Sequence, residues 1–180
     1  MHCRRTSPLI LLAAALALPS GLRAQAPQDL TDPEVAHVAV TANSIDIDAA
    51  KFAQTKTSNS EVKKFAATMI TDHSAVNAQA SALAAKLGVT PKDNAVSKSL
   101  LDGAKQAHDG YASLKGAAFD KAYMTREVAY HQAVLDALDK LLIPTTENAD
   151  LKQLLISIRP AIAAHLEHAK MLSASLNGAK

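Results

Sequence analysis

Four long stretches of this 180-residue chain repeat their apolar side chains at intervals of three and four. That period matches one face of an α-helix and no strand. Val35, Val38, Ala42, Ile45, Ala49 and Phe52 follow it in the first stretch, and Val62, Ala66, Met69, His73, Val76, Ala80, Leu83 and Leu87 in the second. Regularity of this kind describes a packing seam between helices. The third stretch places Met124, Glu127, Val128, His131, Val134, Leu135, Leu138 and Leu141 inward, and the fourth places Leu151, Leu154, Leu155, Ile158, Ile162, His165, Ala169 and Leu172. Alternating strand patterns and repeats of 20–50 residues are absent from the sequence.

Start and stop signals bound these helices. Thr31-x-x-Glu34 reads as a capping box, or Asp32 caps with Pro33 in the first turn; either way the first helix is expected over residues 33–55. Ser60 is expected to cap the second, which stops at Gly88 with Pro91 beyond. The third is expected over residues 117–142, ended by Pro144, and the fourth over residues 148–176. Pro160 inside the fourth predicts a kink near residues 155–158. Residues 92–115, interrupted by Gly103 and Gly110, read as a shorter connecting helix. Short loops make antiparallel pairs of the first two and last two helices, and the long middle connection permits a crossover. The fold expected is all-α: a ferritin-like four-helix bundle with a short extra helix between the second and third long helices.

The first 26 residues read as an export signal rather than as part of the fold. Arg4 and Arg5 precede an apolar run from Leu9 to Leu18, broken by Pro19-Ser20-Gly21, with small residues at Ala24 and Ala26 for cleavage. The run is shorter than the about 20 residues needed to span a bilayer. The domain is then residues 27–180, its core about residues 31–176, and the location expected is the periplasm. Losing Arg4, Arg5 and Arg23 leaves 16 of the 19 Lys and Arg against 17 Asp and Glu. A nearly neutral chain with scattered charge has no footprint for nucleic acid, and no later segment is apolar enough to cross a membrane. Cys3, the single cysteine, leaves with the signal, so the mature chain has no disulfide and no thiolate site.

Three motifs resemble those of one bacterial family. Ser60-Glu61-Val62-Lys63-Lys64-Phe65-Ala66 with Met69-Ile70-x-Asp72-His73 is similar to the first signature of the family called domain of unknown function 4142. Ala117-Ala118-Phe119-Asp120-Lys121-Ala122-Tyr123 with His131 resembles its second, and Leu151-Lys152 through Pro160 and His165-Leu166 its closing helix. The resemblance covers residues 30–176 and implies an exported, ferritin-like protein without an established activity. This chain departs from the pattern at Tyr130, where Asp is expected before the second His, at the acidic pair Asp46 and Asp48 on the first helix, and at Glu127, where an apolar residue is common.

His73, His131 and His165 each take a seam position that suits a leucine, on three different helices. A buried imidazole needs a partner. Glu127 and His131, four apart, share a helix face. A mononuclear metal site from His73, Glu127, His131 and His165, with Asp46, Asp72 and His168 as neighbours, requires the helices to meet at one level. Zn, Mn, Fe and Cu suit such ligands. The Glu-x-x-His pattern of ferritin-like di-metal centres is missing. The other reading of the same residues is a hydrogen-bonded polar layer that fixes register.

The function expected from sequence is a non-enzymatic envelope protein whose interior His/acid cluster is structural or ligand-binding. Two alternatives stay open: a metal-binding oxidoreductase or metal-storage protein using that cluster, and an interaction module for an envelope protein partner or a second copy of the chain. No nucleophile elbow or glycine-rich phosphate loop occurs.

Overall fold

The computed structural model describes residues 30–178 and places them in helices α1 (Asp32–Lys56), α2 (Ser60–Leu87), α3 (Ala95–Tyr111), α4 (Gly116–Ala137), α5 (Ile143–Thr145) and α6 (Ala149–Gly178). A π-helical turn, Leu138–Leu142, joins α4 to α5. The signal expected in residues 1–26 lies outside the described residues.

Local chemistry sets the boundaries. The Thr31/Glu34 capping box opens α1, with the Glu34 carboxylate accepting from Thr31 N at 3.0 Å. α2 departs from expectation by one residue: Asn59 is its N-cap, accepting from Glu61 N and Val62 N, and Ser60 is already helical. An amide oxygen reaches those donors as well as a hydroxyl does. α2 ends at Gly88, whose φ of 63° is left-handed, a conformation glycine adopts without a Cβ clash.

Pro144 does not end the third long helix, contrary to expectation. Ile143 N donates to Leu138 O across the wider π turn, and Pro144 then stands in the first turn of α5, where a missing N–H costs little. Thr145 Oγ1 and Thr146 Oγ1 donate to the carbonyls of Leu141 and Leu142 at the end. α6 is continuous through Pro160, which is exposed.

Helix direction follows from which core residues meet. One apolar cluster joins Ala49 and Ala53 (α1), Phe65 and Met69 (α2), Phe119, Tyr123 and Met124 (α4), and Ala169 and Leu172 (α6). A second joins Val35 and Val38 (α1), Leu135 and Leu138 beyond α4, and Leu155, Ile162 and Leu166 (α6), with Leu83 of α2 against it. α1 and α6 therefore run from the second cluster to the first, and α2 and α4 run the opposite way. α1 packs chiefly on α2 and α4 on α6, so each pair is antiparallel. α3 carries the chain back along α1: Val96 and Leu100 lie by the second cluster, Ala107 and Leu114 by the first. That return lets α4 start at the same end of the bundle as α2.

Between the two apolar clusters every long helix contributes polar side chains: Asn43 and Asp46, His73, Glu127 and His131, and His165. All six are buried. Opposite helix directions bring them to a common depth.

Candidate metal centre

The three seam imidazoles form a nearly regular triangle. Their ring centres are 5.8 Å (His73–His131), 5.3 Å (His73–His165) and 5.6 Å (His131–His165) apart. One nitrogen of each lies within 4.8 Å of the others, and Asp46, Glu127 and His131 form a second such group that shares His131. The two groups make one cluster.

Each imidazole is held from behind by an oxygen acceptor, which fixes its tautomer. His73 Nδ1 donates to Asn43 Oδ1 at 2.6 Å, and the Asn43 amide is oriented by its own Nδ2–H to Ala39 O at 2.9 Å. His131 Nδ1 donates to Glu127 O, one turn earlier, at 3.0 Å. His165 Nε2 donates to the Asp72 carboxylate at 2.9 Å, with Asp72 itself 45% exposed. The remaining nitrogens, His73 Nε2, His131 Nε2 and His165 Nδ1, face the interior. All three are buried without a hydrogen-bond partner, as are Asp46 Oδ2 and Glu127 Oε2. A hydrogen-bonded polar layer would pair donors with acceptors. These inward atoms are left without partners.

Their spacing suits a cation. Asp46 Oδ2 is 3.1 Å from His73 Nε2 and 3.9 Å from His131 Nε2. Ligands about 2.0–2.2 Å from a tetrahedral ion stand roughly 3.3 Å apart. Tetrahedral imidazoles bound by one nitrogen each would place their ring centres about 5 Å apart, close to the triangle seen.

Arg126, which the sequence pattern did not single out, completes the arrangement. Its Nη1 donates to Asp46 Oδ1 at 2.7 Å and to Glu127 Oε1 at 2.6 Å, leaving the other oxygen of each carboxylate turned inward. The guanidinium lies 4.0 Å from the Tyr130 ring centre, and Tyr130 Oη donates to Ala42 O at 2.8 Å. Tyr130 stands where the family pattern led one to expect Asp, and its ring supports the cation that bridges the acids. Asn43 was also missed. Its position three residues before Asp46 on one helix face was the available signal.

Electrostatics divide the two carboxylates. Burial opposes ionisation of Asp46, but the His73 contact, Arg126 and His131 outweigh it and hold this acid below the ordinary range. Burial, with the Asp46 charge beside it, pushes Glu127 well above that range despite Arg126. Two buried acids sharing one guanidinium divide in this way. Burial lowers His131 to about 4, and His165 is lowered chiefly by burial.

The other singled-out residues lie outside the cluster. His168 is exposed, with its ring 5.2 Å from the Phe65 ring centre. Asp48 is exposed on α1, next to a surface cavity. Tyr111 and Tyr123 are core residues, and Tyr123 Oη is buried without a hydrogen-bond partner.

Comparisons with known proteins agree with this fold. The family described as "Domain of unknown function (DUF4142)" matches residues 17–172. A solved structure described as "CopM in the Cu(II)-bound form" superposes with a TM-score of 0.61 at 19% identity, over 81% of this chain and 98% of that one. No curated protein matches the chain. Among the described residues, no helix is long and apolar enough to cross a membrane.

Proposed function

We propose that this chain, which belongs to the DUF4142 family, binds one divalent transition-metal ion at the centre of its bundle and acts as an exported metal-holding protein. The observation that carries this reading is a set of five inward-facing polar atoms, His73 Nε2, His131 Nε2, His165 Nδ1, Asp46 Oδ2 and Glu127 Oε2, all buried without a hydrogen-bond partner. A cation answers such a set, and imidazole nitrogens with carboxylate oxygen select borderline ions such as Cu(II) and Zn(II) over Mg or Ca. The outer oxygens of Asn43, Glu127 and Asp72 supply the support that metal-bound imidazoles require.

Holding is favoured over catalysis by the ligand set. Three imidazoles and Asp46 already satisfy a four-coordinate ion, and Glu127 stands beside the remaining approach, leaving no open position for a substrate. Copper(II) is the first ion to test. It stands highest in the divalent affinity order, and the structural neighbour with the same fold is described as Cu(II)-bound. Export is supported by the basic start and apolar run of the first residues.

The test is elemental analysis and Cu(II) titration of protein purified without a histidine tag. One ion per chain, lost in His131→Ala, is expected. Substoichiometric metal unchanged by His131→Ala would refute the reading.

A further inference from the structure

We infer that Arg126 is the gate of the metal centre: a divalent ion reaches the cluster from the side where α1, α3 and α4 meet, and the guanidinium swings out of its carboxylate bridge into the α3–α4 groove to admit it. This inference rests on the metal-holding function proposed above and concerns how that site fills.

Position is the first ground. The carboxylate side of the cluster is sealed, with Asp46 and Glu127 fully buried and His131 1% exposed, while His73 and His165 are 4% and 7% exposed. Arg126, with its side chain 9% exposed, touches both worlds. On its inner side Nη1 binds Asp46 and Glu127, and on its outer side the residue lines two surface cavities. The guanidinium is thus a wall between those cavities and the inward oxygens.

The two cavities differ in a way that suits two tasks. The smaller, about 260 Å³, lies between α1 and α3 and carries Asp48 and His108, side chains able to detain a cation in front of Arg126, beside Lys105, which is paired with Asp109. The larger, about 600 Å³, lies between α3 and α4 and is lined by small residues such as Gly103, Ala107, Gly110 and Ala129. Those residues leave room for a displaced arginine. Tyr130 lines this groove too, so the guanidinium can stay on the same aromatic face as it moves.

Charge supplies the driving force. Once the ion has displaced the Glu127 proton, Asp46, Glu127 and Arg126 sum to one negative charge against the two positive charges of the ion, and only the half-exposed Asp72 carboxylate behind His165 stands near enough to offset the positive charge left over. An unpaired buried charge is strongly unfavourable. Moving the guanidinium outward restores neutrality at the centre, so the ion favours the open position and the empty cluster the closed one.

The experiment is a brief phenylglyoxal pulse on the purified protein, with and without one equivalent of Cu(II) in a non-coordinating buffer, read by peptide mass spectrometry. Arg159 is the other arginine among the described residues, and its surface pairing with Asp139 makes it the internal reference. Modification of Arg126 is expected to rise about tenfold with Cu(II) while Arg159 is unchanged. In stopped-flow quenching of tyrosine fluorescence, Arg126→Met should take up Cu(II) faster than wild type, and Asp48→Asn more slowly. Stoichiometric Cu(II) binding with unchanged Arg126 reactivity would overturn the gate and leave the metal reading standing. Uptake rates unaffected by either substitution would do the same. Failure of Cu(II) to bind at all would remove both.

Discussion

Asp46 Oδ2 and His73 Nε2 stand 3.1 Å apart in the bundle interior, and neither has another hydrogen-bond partner. Two ligands of one ion stand about this far apart. Asp46→Asn keeps the shape and removes the negative charge. It should weaken Cu(II) binding by more than the roughly 10–100-fold typical of an outer support. Without metal it should destabilise the fold by about 3 kcal/mol, because Arg126 loses one of its two buried partners. Copper titration and urea unfolding measure the two effects separately.

Asn43 touches His73 from behind, at 2.6 Å. Asn43→Leu frees the His73 ring to rotate and to change tautomer while leaving all five inward ligand atoms in the chain. Metal affinity should fall about 10–100-fold with stoichiometry unchanged. Isothermal titration reports both quantities, and an unchanged affinity would mean that Asn43 has no orienting role.

The helices and the depth of the histidines were legible in the sequence because the seam period is unbroken through His73. A residue read on the seam is a residue in the core, and Glu127 four before His131 shares its face for the same reason. What stayed illegible depends on neighbours from other helices. Arg126 looks like a surface charge until α1 brings Asp46 to it, and Asp72 points away from His73 on its own helix only to meet His165 of α6. His168, three residues from His165, was grouped with it by spacing, yet the structure turns it against Phe65. Pro144 was read as a stop because a π turn that carries the chain through it has no sequence period of its own.

Gly88 separates fold stability from site chemistry. Its φ of 63° would cost an L-residue about 1 kcal/mol. Fifteen residues of helix put it roughly 22 Å from His73 along α2. Gly88→Ala should lower the melting temperature by about 2–4 °C and leave Cu(II) affinity unaltered. A calorimetric scan with and without metal tests this, and a loss of affinity would show that the end of α2 and the cluster are coupled.

Glu127 and the histidines push pH dependence in opposite directions. Glu127 is raised in the fold above its ordinary 4.5, so its contribution is full at low pH and is lost as pH rises from about 4.5 toward the folded value. His131 is lowered to about 4 from 6.5, so its neutral burial costs stability as pH falls through that window and nothing above it. As pH rises from about 4.5 the metal-free protein should lose the Glu127 contribution until the carboxyl ionises. Glu127→Gln abolishes this loss. Above about pH 4.5 the wild-type melting temperature should fall relative to that of the variant. Metal binding needs the ionised carboxylate, so Cu(II) should displace the Glu127 proton, an uptake heat that varies with buffer ionisation enthalpy in the wild type and varies less in Glu127→Gln. Parallel melting curves for the two proteins across this range would mean that Glu127 is ionised without the metal, and that Arg126 alone balances both acids.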